Sequence, residues 1–306
     1  MLTPALFDAD RVARGVAPPT GDDLLVGAAA RFADPDASPR VGWGTAPPPL
    51  DGVRWVHLEP APAQAAKGRA PAWLADAPAV RGLVTPACLL ADLAAMGVLQ
   101  RLAHISITWE PAWIAAGGRV AWPSGVQAPA LRALCLIGHV TRAQLPWAGL
   151  GLSPTEVPGL ELLELEVDPK GAALAAMREA PALSHLAVTY GGNGPVVDLL
   201  PDDLRLLRIN TLGPKVSTEG LRRLQSLEGL ALLNCRAPVD CCTLEALPRL
   251  RELSLWGTKK LAQVDALLRI PALESLELVD CGRPFTAAQK AALAARGLRG
   301  LSIQFA

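Results

Sequence analysis

The sequence predicts an α/β fold built as a solenoid of stacked repeats, and three observations predict it. An apolar frame, L-x-x-L-x-L-x-x and then Cys or Thr, recurs along the C-terminal half. A proline stands two residues before many of the frames, and short Ala/Leu-rich stretches of helical spacing fill the intervals. Self-similarity at a fixed period of roughly 20–50 residues marks repeat architectures. One such unit cannot bury its apolar face alone, whereas stacked neighbours can.

The elements follow in chain order. Residues 1–49 lie outside the frame. The stretch from Asp22 to Phe32 reads as a helix with acidic residues near its positive N-terminal end, and Pro35 to Pro49 as a Pro-rich connector. Together they are expected to cap the first repeat. The frame then starts at Leu50, Val80, Leu102, Leu131, Leu160, Leu183, Leu204, Leu227, Leu250, Leu273 and Leu298, about eleven repeats spanning 50–306. Its clearest copies are Leu227-Leu230-Leu232, Leu250-Leu253-Leu255 and Leu273-Leu276-Leu278.

Pro48, Pro78, Pro129, Pro158, Pro181, Pro248 and Pro271 each precede a frame by two residues. Proline lacks an N–H and disfavours helix in the residue before it, so it stops a helix as the chain enters a strand. Helical spacing appears in Ala172 to Arg178, Leu261 to Leu268 and Ala287 to Ala294. The last strand, Leu301 to Phe305, is expected to be an open edge or to be paired with something, which leaves self-association through it as an alternative.

These frames resemble the leucine-rich repeat (LRR) family over roughly residues 50–306, most closely over 131–306. The resemblance implies a horseshoe: a parallel β-sheet on the concave face, with helices and turns on the convex face. The ninth frame position departs from the family, which places Asn or, in one subclass, Cys there to bond the backbone turn. Here it holds Cys88, Glu110, His139, Asp168, Gly191, Leu212, Cys235, Thr258, Cys281 and Ala306. An irregular turn ladder is therefore expected.

Composition narrows the function. With 29 basic and 29 acidic residues the net charge is zero. Phosphate neutralisation needs a basic surplus, so a nucleic-acid partner is not expected, nor is an anionic membrane surface. The N-terminal stretch lacks the basic and apolar regions of a signal peptide, and no apolar run approaches the ~18–20 residues of a membrane span. The six cysteines form no C-x-x-C pair and read as reduced thiols of a cytoplasmic protein. The Arg- and Ala-rich usage fits a bacterial source.

Chemistry-bearing motifs are sparse. The loop from Tyr190 to Pro195 lacks the spacing and Lys of a P-loop and reads as a turn. His57, His104, His139 and His185 fall in different repeats, too dispersed for one metal. Cys241-Cys242 reads as a small apolar pair at a helix start. No cofactor and no catalytic residue is expected.

Alternation along each strand places positions three, five and seven on the concave face. Those rows mix Ile137, Leu206, Leu233, Trp256 and Val279 with Glu164, Glu166, His185, Arg208 and Asn210. An apolar and aromatic anchor with flanking charges suits protein recognition. The expectation is a non-enzymatic scaffold that binds a partner protein through this face. An enzyme using His104, His185 or Cys135, and a self-associating structural module, remain the alternatives.

Overall fold

The computed structural model describes residues 23–27, 40–41, 43, 53–60, 67–108, 113, 118, 120–137, 151–166, 171–189, 196–282 and 285–304. The Pro-rich connector, most of the expected N-terminal cap, the Tyr190 loop and the turn residues Glu110, His139, Asp168, Gly191 and Ala306 lie outside them. The chain divides within β7 into two compact units.

The strands are short and parallel. The N-terminal unit contains β1 (Asp23–Gly27), β2 (Arg40–Val41), β3 (Trp55–Glu59), β4 (Gly82–Pro86), β5 (His104–Thr108), β6 (Ala133–Ile137) and the start of β7 (Leu162–Glu166). Each of β3 to β6 pairs with the next in sequence, and β1 lies between β2 and β3. The C-terminal unit contains β8 (His185–Thr189), β9 (Leu206–Asn210), β10 (Gly229–Leu233), β11 (Val239–Asp240), β12 (Glu252–Trp256), β13 (Leu261–Ala262), β14 (Ser275–Val279) and β15 (Gly300–Gln304). There the sheet runs β8, β9, β10, β12, β14, β15, while β11 and β13 pair separately.

From Val80 onward every strand except the short β11 and β13 occupies positions three to seven of the frame. The leucines at one, four and six point away from the open face and form the core. In β12 these are Leu250, Leu253 and Leu255, each at most 2% exposed. Helices and 3-10 turns on the other side close each unit, among them Leu90–Ala95, Ala172–Met177, Cys241–Glu245 and Ala287–Ala295. This is a leucine-rich repeat solenoid: one parallel strand per repeat, an inward leucine face and helical connections.

The turn after each strand is also repeated. Position eight adopts a left-handed backbone at Thr211, Asn234, Gly257 and Asp280, with φ of 67°, 53°, 60° and 51°. Its N–H donates to the position-seven carbonyl of the following repeat, at 2.7, 2.6, 2.8 and 2.8 Å in turn. Position nine then fastens the turn from inside. Thr258 Oγ1 donates to the carbonyls of Leu232 and Trp256, and Cys281 Sγ to those of Leu255 and Val279. Cys235 Sγ lies 3.6 Å from the Leu233 carbonyl, and Leu212 fills the same place as a buried apolar group.

Three expectations are corrected. The stretch from Asp22 to Phe32 is not a helix over its described part: Asp23–Gly27 is a strand, with Leu24 opposite Val56 and Val26 opposite Leu58. Its backbone finds a ladder partner, and that tertiary pairing overrides the local pattern. The first clear repeat starts at Val53 rather than Leu50, because strand β3 begins at Trp55 and buries Val56 and Leu58. The stretch from Leu261 to Leu268 splits. Leu261–Ala262 bridges to β11, Gln263 turns through φ 55°, and only Val264–Arg269 coils, as a 3-10 helix.

Candidate partner-binding surface

Positions three, five and seven share the face of the sheet opposite the leucine core. In the C-terminal unit, parallel pairing stacks identical positions on successive strands, ~4.8 Å apart. The position-seven row therefore runs Asn210, Leu233, Trp256, Val279, Gln304 in direct register. The position-five row beside it runs Ala187, Arg208, Ala231, Ser254, Glu277, Ser302. Position three contributes His185, Leu206, Gly229 and Glu252.

The structure thus brings seven of the sequence-selected residues together in one unit: His185, Leu206, Arg208, Asn210, Leu233, Trp256 and Val279. Glu164 stands on β7 opposite Cys135, half-buried, in the N-terminal unit. The side chains of Ile137 and Glu166 lie outside the described residues, although their backbones belong to β6 and β7.

Accessibility sorts the seven. Arg208, Asn210, Trp256 and Val279 are half-buried and reach the surface. Leu206, Leu233 and His185 are 2%, 4% and 1% exposed. These three support the surface from within. Leu233 stands in register between Asn210 and Trp256, and stacking at strand spacing between two such side chains leaves little of it uncovered.

Polar groups on the face are held by one another. Ser254 Oγ donates to Glu277 Oε2 at 2.9 Å, which carries a carboxylate to the edge of the Trp256 row. Asn210 Oδ1 accepts from Asn234 Nδ2 at 3.1 Å and from Thr211 Oγ1 at 3.2 Å, tying the row to the position-eight turns. His185 Nδ1 and the Ser184 hydroxyl share a hydrogen bond of 2.8 Å. The Trp256 Nε1–H is buried and has no acceptor among the described residues.

The N-terminal unit uses its open face differently. The Trp55 ring passes over Gly82 and stacks on His104, with ring centroids 5.5 Å apart. A Cβ at residue 82 would come within 2.3 Å of that ring, so glycine is required there. His57 is buried beside it.

One feature of the C-terminal unit escaped the sequence reading, which followed the odd positions. Position two alternates in charge: Arg205, Glu228, Arg251, Glu274, Arg299. Arg205 grips Glu228 with two bonds of 2.8 and 3.1 Å, Arg251 grips Glu274 with bonds of 2.9 and 3.1 Å, and Arg299 also pairs with Glu274. The Arg205 bonds hold the Glu228 carboxyl below its usual range. The periodic sequence carried this signal in plain view, one residue before the strand.

Chemistry on the thiols is damped. Burial pushes Cys235 up to about 11 and Cys241 to about 12, so neither forms a nucleophilic thiolate near neutrality. Among the described residues no three His, Cys, Asp or Glu side chains stand close enough to hold a metal ion. No described helix is long and apolar enough to cross a membrane. A cavity of about 480 Å³ opens between Lys260, Val264, Phe285 and Gln289, on the helical side of the C-terminal unit.

No known protein family and no curated protein matches the chain. Among solved structures the chain is similar to an LRR protein of Leptospira interrogans. The identity is 12% and the TM-score 0.37, over 82% of this chain and 90% of that one.

Proposed function

We propose that the chain is a non-enzymatic, cytoplasmic recognition scaffold that binds a partner protein through the open sheet face of its C-terminal unit. The observation that carries this reading is the row Asn210, Leu233, Trp256, Val279, held in register on four adjacent strands. Trp256 is half-buried, fixed at its backbone by two turn hydrogen bonds, and stands beside the position-five row that carries Arg208 and Glu277. A rigid aromatic on a regular scaffold loses little conformational freedom on binding, and Trp and Arg are the side chains most enriched at energetic centres of interfaces. Val279 and the Trp256 ring supply apolar contact. Arg208, Asn210 and Glu277 supply direction and partner selection through charge.

The partner surface complementary to this face has an apolar knob for the Trp256 row, with a carboxylate or carbonyl near Arg208 and a donor near Glu277. The test is affinity capture from the native host with the wild-type chain and, in parallel, with Arg208→Ala and Trp256→Ala chains of matched secondary structure. A protein retained by the wild type and lost from both variants supports the reading. A protein retained equally by all three places the binding surface elsewhere.

A further inference from the structure

We propose that the outer edge of β15 takes an extended segment of a partner polypeptide, added as a parallel strand with an acidic residue at position two and apolar residues at positions four and six. This does not rest on the open-face reading, and it uses a different surface.

Three observations define the segment. The first is apolar. Leu301 is the one large hydrophobic residue that is exposed among the described residues, at 37%. Its counterparts one and two strands back, Leu276 and Leu253, are 1% and 2% exposed, because a following strand covers them. Ile303 is half-buried where Leu278 is 0% exposed. The edge lacks two apolar groups at alternate positions.

The second is the backbone. From Ser184 to Arg251 the position-two carbonyl accepts from the N–H groups of positions two and three of the next repeat, and Glu274 O accepts from Gly300 N at 3.4 Å. Glu228 O takes Arg251 N at 2.8 Å and Glu252 N at 3.0 Å, and Arg251 O takes Glu274 N and Ser275 N at 2.8 and 2.9 Å. The Arg299 carbonyl has no such donor among the described residues. It fixes where an incoming strand enters and which way it runs.

The third is charge. The position-two row alternates from Arg205 to Arg299, and the Arg299 side chain is 72% exposed although it touches Glu274. The next member of an alternating row is acidic. A second β15 added in the same parallel register would set Arg299 against Arg299, so charge selects a foreign segment over a copy of this strand. Unpaired edges of this kind are recognised by strand addition, with backbone bonds giving affinity and alternate side chains giving selectivity.

The chain's own β14 has the required pattern, Leu273-Glu274-Ser275-Leu276-Glu277-Leu278. A fluorescently labelled peptide of residues 271–280 is therefore the probe, titrated with the full chain and read by anisotropy. Saturable binding is expected, weakened about fivefold or more when the peptide carries Glu274→Arg. Leu301→Lys in the chain should abolish it while the circular dichroism stays unchanged. Should that variant lose its fold, Arg299→Glu serves instead and should prefer the Glu274→Arg peptide over the native one. Trp256→Ala should leave peptide binding untouched. The proposal is overturned by no saturation at millimolar peptide, by equal affinity for both peptides, or by loss of binding in Trp256→Ala. A dimer of the chain alone that Leu301→Lys dissolves would also overturn it, since the occupant is then a second copy.

Discussion

Substituting Leu255 and Trp256 separately tests the register on which the surface rests. The two residues are adjacent in β12 but face opposite ways. Leu255 is 0% exposed, between Leu232 and Leu278, which are also 0% exposed. Leu255→Ala removes three buried carbons, about 2.4 kcal/mol at ~0.8 kcal/mol each. The ladders on both sides restrain collapse into the gap, so a cavity contribution raises the cost to about 3–4 kcal/mol. Trp256 is half-buried and its ring lies on the surface side. Trp256→Ala should cost about 1–2 kcal/mol, well below the value for a fully buried aromatic. Urea unfolding followed by circular dichroism reads both, with the slope expected to match the wild type. A larger loss for Trp256→Ala than for Leu255→Ala would show that the strand is turned by one residue and that the described face is the core.

The remaining predictions concern turns, the open face and charge. Thr211 holds φ 67°, a costly conformation for a β-branched residue, so Thr211→Asn should raise stability by about 0.5–1 kcal/mol and lift the melting temperature; a drop would mean that its hydroxyl bond to Asn210 outweighs the backbone strain. Gly82→Ala forces a Cβ into the Trp55 ring and should cost about 1–3 kcal/mol by thermal melting, and an unchanged melting point would remove the Trp55–His104 stack from the account. The Glu228 carboxyl is held below its ordinary value by Arg205, so it stabilises the fold above the unfolded pKa of about 4.3 and loses that contribution as pH falls through the folded value. With Arg205 about half exposed, the wild type should exceed Glu228→Gln by only about 0.5–1 kcal/mol at pH 7, a gap that closes in acid; a gap independent of pH would assign the effect to packing.

The repeat was legible because three positions per turn of the solenoid must be apolar, and leucine fills most of them. From Val80 onward the frame placed each five-residue strand correctly, though it did not reveal the short β11–β13 pair. It slipped at the start, where Leu50 offered a leucine but Val53, Val56 and Leu58 carry the true frame. Beta-branched residues do the same work there without the leucine signature. The strand Asp23–Gly27 read as helix because a short apolar run beside alanines has no period of its own; only the partner β3 decides it. The candidate surface was legible as a row, since register follows from the frame. Burial within the row was not: Leu206, Leu233 and His185 disappear through cross-strand neighbours that one strand's sequence does not reveal. The alternating position-two charges needed no structure, only a look at the even positions. The left-handed turn at position eight was hidden for another reason, since Thr211 and Asp280 stand where Gly257 and Asn234 would be expected.

The central claim is that the Trp256 row is the binding surface, and it is tested most directly by the affinity of a captured partner for the wild type and for Trp256→Ala, measured by titration calorimetry. A central interface Trp commonly contributes about 2 kcal/mol or more. The account predicts a loss of about 30-fold or greater in the dissociation constant, with the variant still folded. An unchanged constant in a folded Trp256→Ala chain would contradict it.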